Sequence, residues 1–335
     1  MSAYIIAEIG PNHNGSITIA KKMIKNLANS GANAIKFQLA IPEAVYSNDA
    51  FKAEYQKIND NSKSVIEMSK KLQLSQSQHI ELKAECDFYG LEYLCTAFDL
   101  TSLKFLDQVL NVPRFKIASG ELLSIDMLEY IADVKKPVFL STGMADIDEI
   151  QTSIDILKSK GLLDITILHC VSKYPALHKD LNLKMIPKLK DLFNLSVGYS
   201  DHSIGPEASF AAISLGASVI EKHVTLNRNM SGPDHKASST ISHFTNMVES
   251  IRKIELCFGS DNKIFSSEEV AIKNMARKSI VSARDLSIGT VIQLSDITYK
   301  RPGLGFNPTQ RDLILGKEVV QFIPSNHIIY PYHIR

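Results

Sequence analysis

Three segments place histidine at the end of a short apolar run: Leu168-His169-Cys170, Ser200-Asp201-His202 and Glu221-Lys222-His223. One histidine in such a position is ordinarily a hydrogen-bonded core residue. His202 and His223 close two successive runs, so both can approach one divalent ion. Imidazole suits Mn, Zn or Fe, and nearby carboxylates bias a site toward harder ions. With two protein ligands the ion keeps positions open for water or substrate, as a Lewis-acid site requires.

A second constellation is cationic and hydroxylic. Lys36 and Lys116 end two other apolar runs, and Thr96, Ser119, Ser141 and Ser200 end further ones. Lysine buried in a strand is costly unless an anion neutralises it. Two such lysines among small hydroxyl donors form a cradle for phosphate or carboxylate. The alternative pairs each lysine with Glu8 or Glu121, and both arrangements can coexist. Asn12 and His13, in the loop Pro11–Ser16, follow Glu8 closely enough to reach the same mouth, although part of that loop can serve as a helix N-cap. Asp234, in the charged turn Ser231–Lys236, is either a turn residue or an acceptor for a sugar hydroxyl. Lys300-Arg301-Pro302-Gly303-Leu304-Gly305 is a basic glycine-rich loop or a plain surface turn.

The elements that must position these groups repeat. Strand-like runs at Tyr4–Ile9, Ala34–Leu39, Leu91–Thr96, Arg114–Ile117, Pro137–Ser141, Ile165–Cys170, Leu195–Tyr199 and Ser218–His223 each precede a segment of helical spacing. Runs apolar on both faces are what buried parallel strands look like. Eight strand–helix units predict an α/β fold, a (β/α)8 (TIM) barrel over residues 1–259. The polar residues then gather because strand C-termini converge on one face. An open doubly wound sheet is the runner-up, but it would bring only a few of them together. Residues 260–275 are polar and read as a linker. Residues 276–335 break into short β-like pieces, a small domain too marginal to stand without support.

The whole chain is consistent with this reading. Its 335 residues carry 37 Lys and Arg against 36 Asp and Glu, a net charge of +1, which argues against a broad nucleic-acid-binding face. An apolar fraction of 44% excludes a disordered chain. The four cysteines form no CxxC pair, as in reduced cytosolic proteins. No signal peptide or membrane span is legible, so cytoplasmic localisation and no membrane partner are expected.

Together the segments resemble the sialic acid synthase family, which condenses phosphoenolpyruvate with amino-sugars to make nonulosonic acids. The resemblance rests on Ala7–Gly10 with Asn12–Gly15, Lys36-Phe37-Gln38, Phe115–Ile117 with Ser119–Glu121, Ser141–Met144, Tyr174-Pro175, Gly198–His202, Glu221–His223 and Gly232–Asp234. Lys300–Gly303 resembles the same family's C-terminal antifreeze-like, or SAF, domain. The resemblance implies Mn²⁺ (with Mg²⁺ or Co²⁺ as alternatives) held by His202 and His223. It implies phosphoenolpyruvate bound by Lys36, Thr96, Lys116, Ser119, Ser141 and Ser200. Glu121 would position the attacking water or handle its proton, and Glu8, Gln38, Tyr174 and Asp234 would contact the sugar or shape its pocket. Glu8 and Glu121 join the two histidines as the catalytic set. Arg301 would come from a partner subunit in a domain-swapped homodimer. Ser172 stands where relatives often carry Asn or Thr, and it is retained as a shorter-reaching substrate contact. The strand-four loop, at Ala118 and Leu122-Leu123-Ser124, departs from the commoner neuraminic and legionaminic versions. The segment Gly232–Ser238 resembles those two branches more than the pseudaminic one. The expected reaction joins phosphoenolpyruvate to N-acetylmannosamine or a related sugar with release of phosphate. The alternative acceptor is 2,4-diacetamido-2,4,6-trideoxymannose. More distant readings are a pyruvate-dependent metal aldolase and a non-catalytic carbohydrate-binding protein.

Overall fold

The computed structural model describes residues 2–335, in two compact units that meet in sequence at Phe258 and Gly259. In the first unit eight strands follow one another: β1 (Tyr4–Glu8), β2 (Ala34–Leu39), β3 (Glu92–Ala97), β4 (Phe115–Ile117), β5 (Val138–Ser141), β6 (Ile165–Cys170), β7 (Ser196–Asp201) and β8 (Val219–Thr225). Each pairs in parallel with the next, and β1 also pairs with β8. That last pairing closes a (β/α)8 barrel and excludes the open sheet.

Helices follow the strands where local chemistry starts them. Ser16, Asp99, Asp146 and Thr240 each cap a helix by accepting a backbone N–H with the side chain, which supplies one of the bonds an N-terminus lacks. Lys135 and Asn194 end two helices in the left-handed region. The helices bury apolar stripes against the outward residues of the strands, in one large core that includes Ile5, Phe37, Phe115 and Phe244. Inward residues form a separate plug: Ile6, Ala34, Leu94, Phe139, Leu168 and Val219, with Tyr4 packed against them.

Strand alternation places the chemistry above that plug. Side chains two residues apart share a face, so Glu8, Lys36, Thr96, Cys170, Ser200 and Glu221 lie on the inner face, one layer above plug residues. Register sets Glu8 beside Lys36 and His223, Thr96 beside Lys116, and Ser200 beside Glu221. By the same parity His169 faces outward. It hydrogen-bonds the Leu181 carbonyl at 2.8 Å and stacks on Tyr199, as a core histidine does.

The excursion between β2 and the helix Gln76–Phe88 was not anticipated. It holds three short helices, Pro42–Val45, Glu54–Asn59 and Val65–Leu72. The segment expected to be a linker also contains a helix, Ser267–Ala276, capped by Ser266 and with Glu268 and Glu269 in its first turn. It buries no residue, so it shows no apolar stripe for periodicity to detect. The second unit has its own core of Ile280, Leu286, Ile292, Ile297, Ile314, Val319, Ile323 and Ile329. Its strands Ser279–Ser282 and Ile297–Lys300 pair antiparallel, and isolated bridges join the remaining short pieces.

Candidate active site

A cavity of about 390 Å³ opens at the C-terminal ends of the strands. Lys36, Gln38, Thr96, Lys116, Ser119, Ser141, Ser172, Tyr174, Ser200, His202, His223 and Asp234 all line it. The strands therefore bring twelve of the expected residues to one place. His13, Cys170 and Glu221 join them, as do Tyr46, Gln56, Met68 and Gln73 from the excursion. Asn12 instead ties the first loop to β8, donating to the Val224 carbonyl and to Ser238 Oγ.

One side is an ionic cluster. Lys36 Nζ lies 3.0 Å from Glu8 Oε2 and 3.4 Å from Glu221 Oε1, and it donates to Thr96 Oγ1 at 3.1 Å. Lys116 Nζ donates to Ser141 Oγ at 2.6 Å and lies 3.9 Å from Glu221 Oε2, an oxygen that accepts no hydrogen bond. Ser200 Oγ donates to Glu221 Oε1 at 2.9 Å. Burial pushes the Glu8 carboxyl up to about 8, although Lys36 opposes this. Burial would raise Glu221 too, but Lys116 and Lys36 together outweigh it and hold that carboxyl at about 2. Burial holds Lys116 below the ordinary lysine range, against the pull of Glu221. Lys36 thus has two carboxylates within 3.4 Å, whereas Lys116 reaches only Glu221, at 3.9 Å. Lys116 is the cation the cluster leaves least neutralised, and an anion in the cavity would complete it.

The other side is built from imidazoles. The His202 and His223 rings stand 5.3 Å apart, centre to centre. Nδ1 of His202 lies 2.8 Å from the Val171 carbonyl. A carbonyl only accepts, so Nδ1 carries the proton and Nε2 offers its lone pair to the cavity. That lone pair faces the Tyr174 hydroxyl at 3.1 Å. His223 Nδ1 is buried without a hydrogen-bond partner, 3.4 Å from Asp234 Oδ2. Burial lowers His202 to about 4 and His223 well below its usual range, so both stay neutral, the form that ligates metals. Burial raises Asp234 to about 7. Among the described residues no three His, Cys, Asp or Glu side chains converge as a ready-made metal cluster. The orphaned Nδ1 and the oriented Nε2 fit an ion held by two imidazoles and completed by water or substrate.

Three expected residues fall outside this lining. Glu121 sits on the 3₁₀ turn Ser119–Glu121, which aims Ser119 at the mouth and carries Glu121 round to accept a hydrogen bond from Ser124 Oγ at 2.6 Å. Glu8 lies beneath the floor, its oxygens taken by Lys36 and by Gln38 Nε2 at 2.7 Å; it positions those two rather than touching a ligand. Arg301 is an exposed residue of the second unit, where it lines a cleft with Pro302, Phe322 and Tyr330. Conversely, Glu221, noted in the sequence only as a strand-end residue, is the hub of the ionic cluster. Its place two residues before His223 on one strand was the available signal.

The NeuB family pattern matches residues 23–263. The chain belongs to the NeuB family. A SAF domain match covers residues 277–335 of this NeuB family member. An N,N'-diacetyllegionaminic acid synthase of Campylobacter jejuni is 42% identical over 328 residues, 97% of this chain and 98% of that protein. The enzyme of the same name from Legionella pneumophila is 39% identical over 339 residues, covering 100% of this chain and 95% of that one. Among solved structures, the N-acetylneuraminic acid (sialic acid) synthetase of Leptospira borgpetersenii superposes with a TM-score of 0.73 at 32% identity, over 82% of this chain and 92% of that one. The family expected from the sequence motifs is thus the family found. No helix among the described residues is long and apolar enough to cross a membrane.

Proposed function

We propose that this NeuB family member is a nonulosonic acid synthase that condenses phosphoenolpyruvate with an N-acetylated amino-sugar and releases phosphate. The carrying observation is that Lys36 and Lys116, 3.4 and 3.9 Å from the Glu221 carboxylate, share a cavity with two imidazoles whose rings stand 5.3 Å apart. Lys36, Lys116, Ser119, Ser141 and Ser200 hold the phosphate and carboxylate of the donor through charge-assisted hydrogen bonds. A bond forms between C3 of phosphoenolpyruvate and the aldehyde carbon of the open-chain sugar. Water then adds at C2, and cleavage of the C2–O bond expels phosphate. His202 and His223 would hold a divalent ion, Mn²⁺ in this reading, which supplies Lewis-acid polarisation of the aldehyde. Tyr174 and Gln38 orient the sugar, and Asp234 can hold or yield a proton at Oδ2 near neutrality.

For the acceptor, similarity to the two legionaminic acid synthases favours 2,4-diacetamido-2,4,6-trideoxymannose as a second reading beside N-acetylmannosamine. Phosphate release and product mass with Mn²⁺, phosphoenolpyruvate and each sugar test the proposal. No phosphate with any amino-sugar would sink it, and equal turnover with pyruvate would convert it to an aldolase. His223→Ala is expected to abolish metal binding and turnover while the fold survives. The reading also places the protein in the cytoplasm and Arg301 in the site of a partner subunit, in a domain-swapped homodimer. Arg301→Ala should then raise the Michaelis constant for the sugar and leave the barrel intact; an unchanged constant counts against that role.

A further inference from the structure

The inner faces of β7 and β8 carry Ser200, Glu221 and His223, and His202 follows β7 directly. Between these residues, on the outward faces, stand Asp201 and Lys222, neither of which lines the cavity. Lys222 Nζ makes three bonds: to Asp201 Oδ2 at 2.7 Å, to the Ser203 carbonyl at 2.7 Å and to the Gly205 carbonyl at 2.9 Å. Asp201 accepts from the Ser203 amide and hydroxyl at 2.9 and 2.7 Å, and from Ser209 Oγ at 2.8 Å. Both side chains are essentially inaccessible, at 1% and 0% exposure. Gly205 adopts φ +88°, a region a side chain strains to reach, in the loop whose carbonyl turns back onto Lys222. All three donors of the lysine are therefore used.

We infer that Asp201 and Lys222 are positioning residues that set the separation of the two imidazoles. The pair bonds β7 to β8 on the side away from the cavity, at the residues adjoining His202 and His223 in the chain. It also clamps 203–205, the segment that leaves His202. Whatever moves Lys222 relative to Asp201 moves one imidazole relative to the other. The donor-binding lysines are on β2 and β4 and meet these two strands at Glu221, on the cavity side of β8, rather than at Lys222 itself. The inference deepens the synthase reading and rests on its two-histidine metal site.

The test is a titration of chelator-treated full-length protein with Mn²⁺ alone, following the free ion by electron paramagnetic resonance. It is paired with steady-state kinetics and thermal unfolding. Lys222→Met is expected to weaken Mn²⁺ binding about 10–100-fold, the usual scale for groups that orient metal ligands. It should lower kcat, raise the Michaelis constant for phosphoenolpyruvate by much less than it weakens Mn²⁺ binding, and be largely rescued in Lys222→Arg. Where Lys222→Met does not fold, Asp201→Asn, which keeps acceptor Oδ1 for Ser203, carries the same expectation with a smaller shift. Parent-like Mn²⁺ affinity in a folded variant overturns the inference. So does a rise in the phosphoenolpyruvate constant as large as the loss of metal affinity, since the pair would then support the whole barrel rather than the imidazoles. A parent protein that does not bind Mn²⁺ removes the synthase reading's metal site and the inference with it, a result distinct from either.

Discussion

Two buried ionic groups sit within one barrel, and they are built on opposite plans. The outward pair Asp201–Lys222 is closed: each oxygen and each ammonium proton has a protein partner. The inward cluster of Glu8, Lys36, Lys116 and Glu221 is open, with Glu221 Oε2 and the neighbouring His223 Nδ1 left without hydrogen bonds. A buried charge costs free energy until its partners complete it. The closed pair has met that cost inside the fold and contributes geometry. The open cluster leaves part of it unmet within the fold, and under the synthase reading the donor meets it; that difference would separate a structural ion pair from a binding site made of the same residue types.

The comparison can be broken in several ways. The largest effect is expected in catalysis from Lys36→Met, which should lower turnover by about 10²–10³-fold, the scale for deleting one preorganised charge-stabilising donor. Its effect on stability should be modest, because Glu8 already tends to keep its proton and so neutralises itself when the ammonium is gone. A loss of stability as large as the loss of turnover would show that the inward cluster is closed after all. Next is Lys222→Ala, which strands a buried carboxylate and should cost about 3–5 kcal/mol in urea unfolding. A cost below about 1 kcal/mol would make the outward pair no better than a surface ion pair.

A pH experiment sharpens the open side. Burial raises Asp234 from 3.8 to about 7, so the folded state keeps this proton longer than the unfolded chain does. Its contribution to stability is complete below about pH 4 and is lost as pH rises through about 7. In metal-free buffer Asp234→Asn should flatten the fall in unfolding free energy across that window. Parallel profiles for parent and variant would remove the buried carboxyl from the account. The smallest effect is expected from Gly143→Ala. A β-carbon there would stand 2.3 Å from Ser172 Oγ and 2.8 Å from Ser119 Oγ, so both hydroxyls must rotate away. The expected result is a rise of about five-fold in the Michaelis constant for phosphoenolpyruvate, equivalent to about 1 kcal/mol, with kcat little changed. No change in that constant would show that the two hydroxyls do not touch the donor.

Much of this was legible along the chain. The eight runs apolar on both faces identified the barrel strands, because burial between helices and plug leaves no polar face to blur the pattern. The strand-end polar residues were legible for the same reason, although type alone did not separate His202 and His223 from His169, or Lys36 and Lys116 from Lys222; His169 and Lys222 face outward into structural bonds. The excursion at 40–74 and the helix Ser267–Ala276 were not legible. Pro42–Val45 and Glu54–Asn59 are too short to show an apolar period, Val65–Leu72 repeats it for only two turns, and Ser267–Ala276 buries nothing.

Residue type and alternation along each strand determined that Lys36, Lys116, His202 and His223 would face one mouth, because parity is a local property. Only the tertiary structure decided which charges meet there. Glu221 rather than Glu121 lies between the lysines, since a 3₁₀ turn rotates Glu121 toward Ser124 while strand register sets Glu221 beside Ser200. Glu8 went beneath the floor, and Lys222 went outward to Asp201. Pairing between buried charges depends on ångström separations across strands far apart in sequence, and those separations exist only once the barrel has closed.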